Sequence, residues 1–408
     1  MPKDFIKTLK KHPLLFDGAM GTMLQKMGLK KGACPDGLNL TEPELVKKVH
    51  TLYAEAGSDV VTTNTFGANR LKLREYGLEK KLREININGV KIARKAAGGS
   101  GFVAGCIGPT GRFIEPVGDL TFDEAVSVFA EQAGALKKGG ADLLIIETMM
   151  DIKEMKAAII ASNSTGLPVV ATMTFDSTMR TVLGTPPEAF AIVADSLGVA
   201  ALGANCSLGI EGIYKAIKRM NSVTDLPLLA QPNAGMPVLK GKETVFPSTP
   251  DEMAEYAPKL VACGVRLLGG CCGTTPEHIR KMGGEFKSLK PESTRKPKGF
   301  TALSSRTSFT LFGGEMGPVL IGERINPTGR KKLAEEIKEG KTSIIRAEAK
   351  EQEESGASLL DVNVGVPHAD EPSAMKRAVF AVNENSALPV VIDSSDPKAM
   401  EEGLKAVD

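Results

Sequence analysis

From about residue 14 to residue 290 the chain repeats one unit: a short apolar segment, a stop of glycine or polar residues, then an amphipathic stretch of a dozen or more residues. That alternation is the signature of βα units, whose strands are buried on both faces of a parallel sheet. Eight apolar segments mark the strands, at 14–16, 60–66, 102–107, 143–148, 169–175, 200–206, 228–231 and 265–271. Helical patterns fill the intervals, such as 42–56 and 122–138, with Thr41 and Thr121 placed as N-caps. Eight strands, each followed by a helix, over about 290 residues predict an α/β fold of the (β/α)8 TIM-barrel type. A doubly wound open sheet is the alternative, but it usually stops at about five or six strands.

Residues 290–298 are basic, carry proline and lack apolar periodicity, so a linker is expected over 291–311. It divides a first domain, 1–290, from a second, 312–408. The rhythm resumes there with strands at 319–325, 358–364 and 390–393 and a helix after each. Three βα units cannot close a barrel, so the second domain is expected to be the opening of a larger (β/α) barrel, truncated in this sequence.

Charge narrows the partners. Lysines and arginines number 51 against 49 aspartates and glutamates, a net charge of +2, too even for a nucleic-acid groove or an anionic membrane surface. No apolar run approaches the ~18 residues of a membrane span, and residues 1–7 lack the apolar stretch of a secretory signal. The expectation is a cytoplasmic protein with neither nucleic acid nor membrane as partner. Its 6 cysteines in 408 residues are too sparse for a disulfide scaffold and are judged instead as metal or catalytic groups.

Three cysteines share one place in the predicted barrel. Cys206 ends the sixth strand, and Cys271 and Cys272 end the eighth, in Gly-Gly-Cys-Cys-Gly. C-terminal strand ends face the active-site mouth of such a barrel. Adjacent strand residues point to opposite faces, so Cys271 and Cys272 converge only where the chain leaves the strand, which Gly269, Gly270 and Gly273 permit. Three thiolates suit a tetrahedral zinc with one position open, the arrangement of a catalytic site. Isolated intracellular cysteines are more often buried small hydrophobes, the role assigned to Cys34, Cys106 and Cys263. His278 falls in the first turns of a helix begun by Pro276 and is read as structural.

The motifs Asp17-Gly18-Ala19-Met20-Gly21-Thr22, Asn64-Thr65-Phe66, Gly108-Pro109-Thr110-Gly111, Glu147-Thr148, Asn205-Cys206 and Gly269 to Gly273 together resemble the homocysteine S-methyltransferase domain, over about residues 10–290. The resemblance implies a (β/α)8 barrel, with Cys206, Cys271 and Cys272 holding zinc that binds homocysteine as its thiolate. It places the Asp17 and Glu147 carboxylates on the substrate's amino group, with Thr65 nearby. Either acid taken alone would more often be a helix cap or a solvated loop residue. Asn233, in Gln-Pro-Asn-Ala-Gly, offers an amide oxygen for the open zinc position before the thiol arrives; an ordinary turn asparagine is the alternative. A free thiol of pKa near 8.5 is mostly protonated at neutral pH, whereas a zinc-bound thiol is ionised, so the implied reaction is methyl transfer to that sulfur.

In the second domain, Ile321 to Gly329 follows the first strand, Leu360 to Gly365 forms the next, and Ile392-Asp393-Ser394 ends the third. Asp361 and Asn363 are two apart and share one strand face, where they can meet the donor–acceptor edge of a flat heterocycle. Spacing alone fits a polar core or loop role equally well. These motifs look like the pterin-binding domain shared by cobalamin-dependent methionine synthases and corrinoid-dependent methyltetrahydrofolate methyltransferases, with Asn326, Asp361, Asn363 and Asp393 as the matching pterin contacts. The domain order resembles the N-terminal half of the cobalamin-dependent methionine synthase family. That implies methylcobalamin, bound by a cobalamin-binding module absent from this sequence, as methyl donor, and 5-methyltetrahydrofolate as its source. A cobalamin-independent methyltransferase using a sulfonium or betaine donor, and a non-catalytic zinc barrel, are the competing readings.

Overall fold

The computed structural model describes residues 4–30, 32–241, 243–289 and 298–408. Its first unit is built on eight parallel strands: β1 Leu14–Leu15, β2 Val60–Thr62, β3 Phe102–Ile107, β4 Leu143–Met149, β5 Val169–Met173, β6 Ala201–Asn205, β7 Leu228–Gln231 and, after a hairpin of β8 Val238–Lys240 with β9 Glu243–Val245, β10 Val265–Leu268. They pair in the order β1-β10-β7-β6-β5-β4-β3-β2. The single bridge Phe16 to Val60 joins the two ends of that sheet into a nearly closed barrel. Each predicted strand is present, but four end earlier than periodicity suggests, so 63–66, 174–175, 206 and 269–271 are loop.

The interior is filled by Phe16, Val60, Phe102, Ala104, Leu143, Ile145, Val170, Ala201, Leu229 and Leu267. The helix Phe5–Lys11 closes the end where strands begin: Phe5 and Leu9 join that cluster, and the Phe5 ring meets the Phe102 ring edge-on at 5.6 Å. The strand C-termini are left to form the mouth.

Local chemistry sets the helix limits. Phe122–Gly139 starts where expected, with a capping box between Thr121 and Glu124, and stops at Gly140 in the left-handed region at φ 93°. Thr41, expected as an N-cap, instead ends the short helix Leu38–Thr41; the following helix, Pro43–Glu55, begins on Pro43, whose fixed φ and missing N–H suit the first helical position.

The second unit comprises Pro297–Asp408 with Leu183–Ile192, the latter a stretch that the sequence pattern assigned to the first domain. Its parallel sheet, β13 Ile321–Ile325, β14 Leu359–Val362 and β15 Val390–Ile392, packs on helices through Ile325, Leu360, Val362, Met375 and Val379. The expected linker needs correction. Residues 290–297 lie outside the described residues, but 301–311 are not a linker: β11 Thr301–Ser304 and β12 Phe309–Phe312 form an antiparallel hairpin. Thr310 Oγ1 donates to Ser358 O at 2.9 Å and Ser305 Oγ to Ala387 O at 2.6 Å, fixing it near the residues that precede β14 and β15. Among the described residues no helix is long and apolar enough to cross a membrane.

Candidate active site

Cys206 follows β6 in the left-handed region, at φ 58°, and Ser207 repeats that conformation at φ 56°. Its amide donates to Gln231 O at 3.1 Å, tying the turn to the end of β7. On the other side β10 stops at Leu268, and the Gly-Gly-Cys-Cys loop is pinned by its own amides: Gly270 N to Asp17 O at 3.0 Å and Cys271 N to Pro232 O at 2.8 Å. A Cβ on Gly270 would lie 2.4 Å from Thr274 Oγ1, and one on Gly273, at φ +80°, would lie 2.1 Å from Phe246 Cγ. Both glycines are required by close approach, and Gly273 by backbone angle as well.

The chain therefore leaves the strand before the vicinal pair, and the three sulfurs converge. Cys206, Cys271 and Cys272 lie with their Sγ atoms all within 4.8 Å of one another, Cys206 and Cys272 being 3.8 Å apart. Hydrogen bonds from Cys271 and then Cys272 lower the Cys206 thiol to about 3, while bonding to Cys206 pushes Cys271 and Cys272 up. The three sulfurs thus form one hydrogen-bonded set. Asn205 supports it from β6: its Nδ2 reaches Thr148 Oγ1 at 2.7 Å and Cys271 Sγ at 4.0 Å, and its Oδ1 accepts from Thr148 N at 2.9 Å. Asn233 precedes Ala234, whose amide donates to Cys272 O at 3.0 Å, and its own Oδ1 is buried with no partner. Three soft donors beside an orphaned amide oxygen fit a tetrahedral metal, and zinc is the ion that such a set favours.

Beside the sulfurs opens a cavity of about 410 Å³, walled by Asp17, Asp36, Thr63, Cys106, Glu147 and the cysteine trio among others. Asp17 Oδ2 accepts from Thr62 N at 2.8 Å; burial raises this carboxyl to about 7. Burial also raises Glu147. Buried acids of this kind recover their ionised form when a cation is supplied, so the wall is suited to an ammonium group.

Two residues stand outside the cavity wall. Thr65 is fully buried behind the wall, its hydroxyl donating to Cys106 O at 2.8 Å and meeting Thr63 Oγ1 at 2.6 Å, so Thr63 and not Thr65 faces the cavity. Asn233 is at the sulfur cluster but is not part of the cavity wall. Two others gained no site role from the sequence. Asp36, held by Gly67 N at 2.9 Å and raised to about 6 by burial, adds a further buried acid to the wall. Cys106, assigned to packing, is buried, but its thiol donates to Glu147 Oε1 at 2.8 Å. His278 is structural: its Nδ1 accepts from Thr275 N at 3.2 Å and its Nε2 lies 3.0 Å from Ser248 O.

In the second unit Asn326, Asn363 and Asp393 directly follow β13, β14 and β15, and Asp361 lies within β14, one residue before its end. Asn363 Nδ2 donates to Asp393 Oδ2 at 2.9 Å, and Asn326 Nδ2 donates to Glu323 Oε1 at 2.9 Å. Partial burial, then the charges of Asp393 and Glu323, raise Asp361.

Residues 322–408 match the pterin-binding enzyme family. Two relatives, the methionine synthases of Mycobacterium tuberculosis and Mycobacterium leprae, are 32% and 31% identical, each match spanning 98% of this chain and 35% of the relative. The chain thus spans about a third of the length of these relatives. Among solved structures, the metallated form of the Escherichia coli homocysteine methyltransferase MmuM superposes with a TM-score of 0.58 at 27% identity, covering 67% of this chain and 96% of that one. Its oxidised form gives 0.60 at 27% identity, covering 69% and 99%. Residues 14–285, two thirds of the sequence and all eight barrel strands, match homocysteine S-methyltransferase, and the chain belongs to that family.

Proposed function

We propose that the first unit binds homocysteine in the cavity beside the cysteine trio and presents its sulfur for methylation, giving methionine. The observation that carries this reading is the convergence of three sulfurs within 4.8 Å on a cavity whose wall also holds Asp17 and Glu147. The trio supplies soft ligation at one end, and the carboxylates supply charge for an α-ammonium at the other. Zinc on Cys206, Cys271 and Cys272 would supply the Lewis acidity that keeps a coordinated thiol ionised at neutral pH.

The chain's own residues then do three things. Asp17 and Glu147 hold the ammonium and so fix the substrate's orientation. Asn205 keeps Cys271 and Thr148 in place from β6. Asn233, with its unpartnered Oδ1, stands beside the sulfurs until substrate arrives.

The methyl group would pass from its donor to sulfur, its bonding pair remaining with the donor. Methylcobalamin on a module outside this sequence is the proposed donor. The second unit, through Asn326, Asp361, Asn363 and Asp393, is proposed to bind 5-methyltetrahydrofolate as the methyl source; the pterin-family match supports that assignment. Free thiols, two of them buried, and a thiolate metal site support a reducing, cytoplasmic setting. A small sulfonium or betaine donor is the second reading; 96% of the E. coli homocysteine methyltransferase chain aligns with 67% of this one, so a homocysteine methyltransferase can consist of such a barrel alone.

Zinc X-ray absorption with and without homocysteine tests the site. A gain of one sulfur neighbour is expected on adding homocysteine, and an unchanged shell would overturn the proposal. Methylation from S-methylmethionine without cobalamin would move the donor to the second reading.

A further inference from the structure

Cys106 is a thiol of the cavity wall to which the proposed chemistry gives no task. It lies on β3 opposite Ile145 of β4, so Glu147 is the next β4 residue on the same side toward the mouth. Its backbone is held from two neighbouring elements: its amide donates to Thr63 Oγ1 at 2.9 Å, and its carbonyl accepts from Thr65 Oγ1 at 2.8 Å and from Gln132 Nε2 at 3.2 Å. With the main chain fixed, little beyond χ1 remains free, and the chosen rotamer brings Sγ to 2.8 Å from Glu147 Oε1. Burial and then the Glu147 charge raise this thiol well above its ordinary value, so it stays protonated and donates. It is also outside the group of sulfurs that cluster for a metal among the described residues.

We propose that Cys106 is a positioning residue for the substrate ammonium: its thiol holds one oxygen of Glu147, so that the other is presented to the cavity in a single orientation. Packing alone does not account for the residue, because valine or alanine fills a barrel interior without a donor, whereas here a donor sits within reach of a buried carboxylate. The inference rests on the reading of Glu147 as an ammonium contact.

The experiment measures homocysteine affinity of the zinc-loaded full chain by calorimetry for C106A, C106V, C106S and E147Q, and for C106V combined with E147Q. Losing a hydrogen bond to a charged group predicts about tenfold weaker binding in C106A and C106V. C106S keeps the donor and is expected to stay within about threefold of the parent, and zinc content should be unchanged in every variant. In the E147Q background the C106V change should cost less than about twofold, because the partner charge is gone. C106S keeps both the unbranched shape and the donor, so a folding defect of C106A or C106V does not decide the matter. Parent-like affinity in C106V, or an equal loss with and without Glu147, overturns the inference and leaves Glu147 standing. Parent-like affinity in E147Q overturns the reading of Glu147 together with it.

Discussion

Cys206 Sγ and Cys272 Sγ lie 3.8 Å apart although 66 positions separate them in sequence, one following β6 and the other four residues past β10. Nothing covalent joins the two loops, so the contact is delivered by the register of β6, β7 and β10. A third sulfur within 4.8 Å completes the set, and removing any one leaves two donors.

Cys206→Ser should therefore lower bound zinc from about one per chain to below about a tenth, since structural and catalytic zinc sites need at least three protein ligands. The circular-dichroism spectrum should be unchanged, because Cys206 lies outside the strand and outside the barrel's apolar cluster. Metal analysis after dialysis checks this; zinc retained near one per chain would sink the ligand set.

Gly273→Ala should be costly in two ways. The left-handed backbone costs a non-glycine residue about 1–2 kcal/mol, and the new Cβ would meet Phe246. The relief route is to shift the loop carrying Cys272, so a melting temperature lower by several degrees should come with weaker zinc retention. If the two losses separate, the loop geometry is not what holds the sulfurs.

Stability should fall as pH rises between about 4.5 and 7 because of Glu154. This carboxylate accepts from Thr110 N at 2.7 Å and Thr110 Oγ1 at 2.6 Å, yet burial raises it from 4.5 to about 7. A carboxyl raised on folding binds its proton more tightly in the native state, so its contribution is complete below the unfolded value and disappears through the folded one. At 1.36 kcal/mol per unit this is at most about 3 kcal/mol. Glu154→Gln keeps an acceptor for Thr110 and should flatten the slope; urea unfolding of both proteins at pH 5 and 8 measures it.

Asp361→Asn should weaken 5-methyltetrahydrofolate binding by the full chain by about tenfold or more, the cost of replacing a charged acceptor. Calorimetry on parent and variant decides it, and equal affinities would remove Asp361 from the pterin contacts.

Much of this was legible in the sequence because it is encoded by local pattern. Strand periodicity gives eight strands without reference to partners, and the glycines around Cys271 and Cys272 announce a departure from regular backbone. Strand ends were overdrawn at Cys206 and Cys271 because an apolar run continues past the last ladder bond. The β11–β12 hairpin was hidden for the converse reason: its short alternating segments flank Ser305 to Ser308 with no Asn-Gly or Gly-rich signal. Asp36 and Cys106 could not be found, since what makes them notable is a cavity and partners 31 and 41 positions away. That Thr63 rather than Thr65 lines the cavity is not readable from pattern, because residues 63–66 are loop, where alternation no longer says which side chain faces inward.

The bridge between Phe16 and Val60 closes the barrel at its seam, and Asp17 is the next residue. Its amide donates to Val60 O at 3.1 Å and its carboxylate accepts from Thr62 N at 2.8 Å, while its carbonyl accepts from Gly270 N at 3.0 Å. One side chain is thus both a clasp between first and second strands and a charged wall of the cavity. A side chain without an acceptor at this position would lose the charge and the Thr62 bond together, so ligand preference and the side-chain half of the clasp depend on one residue.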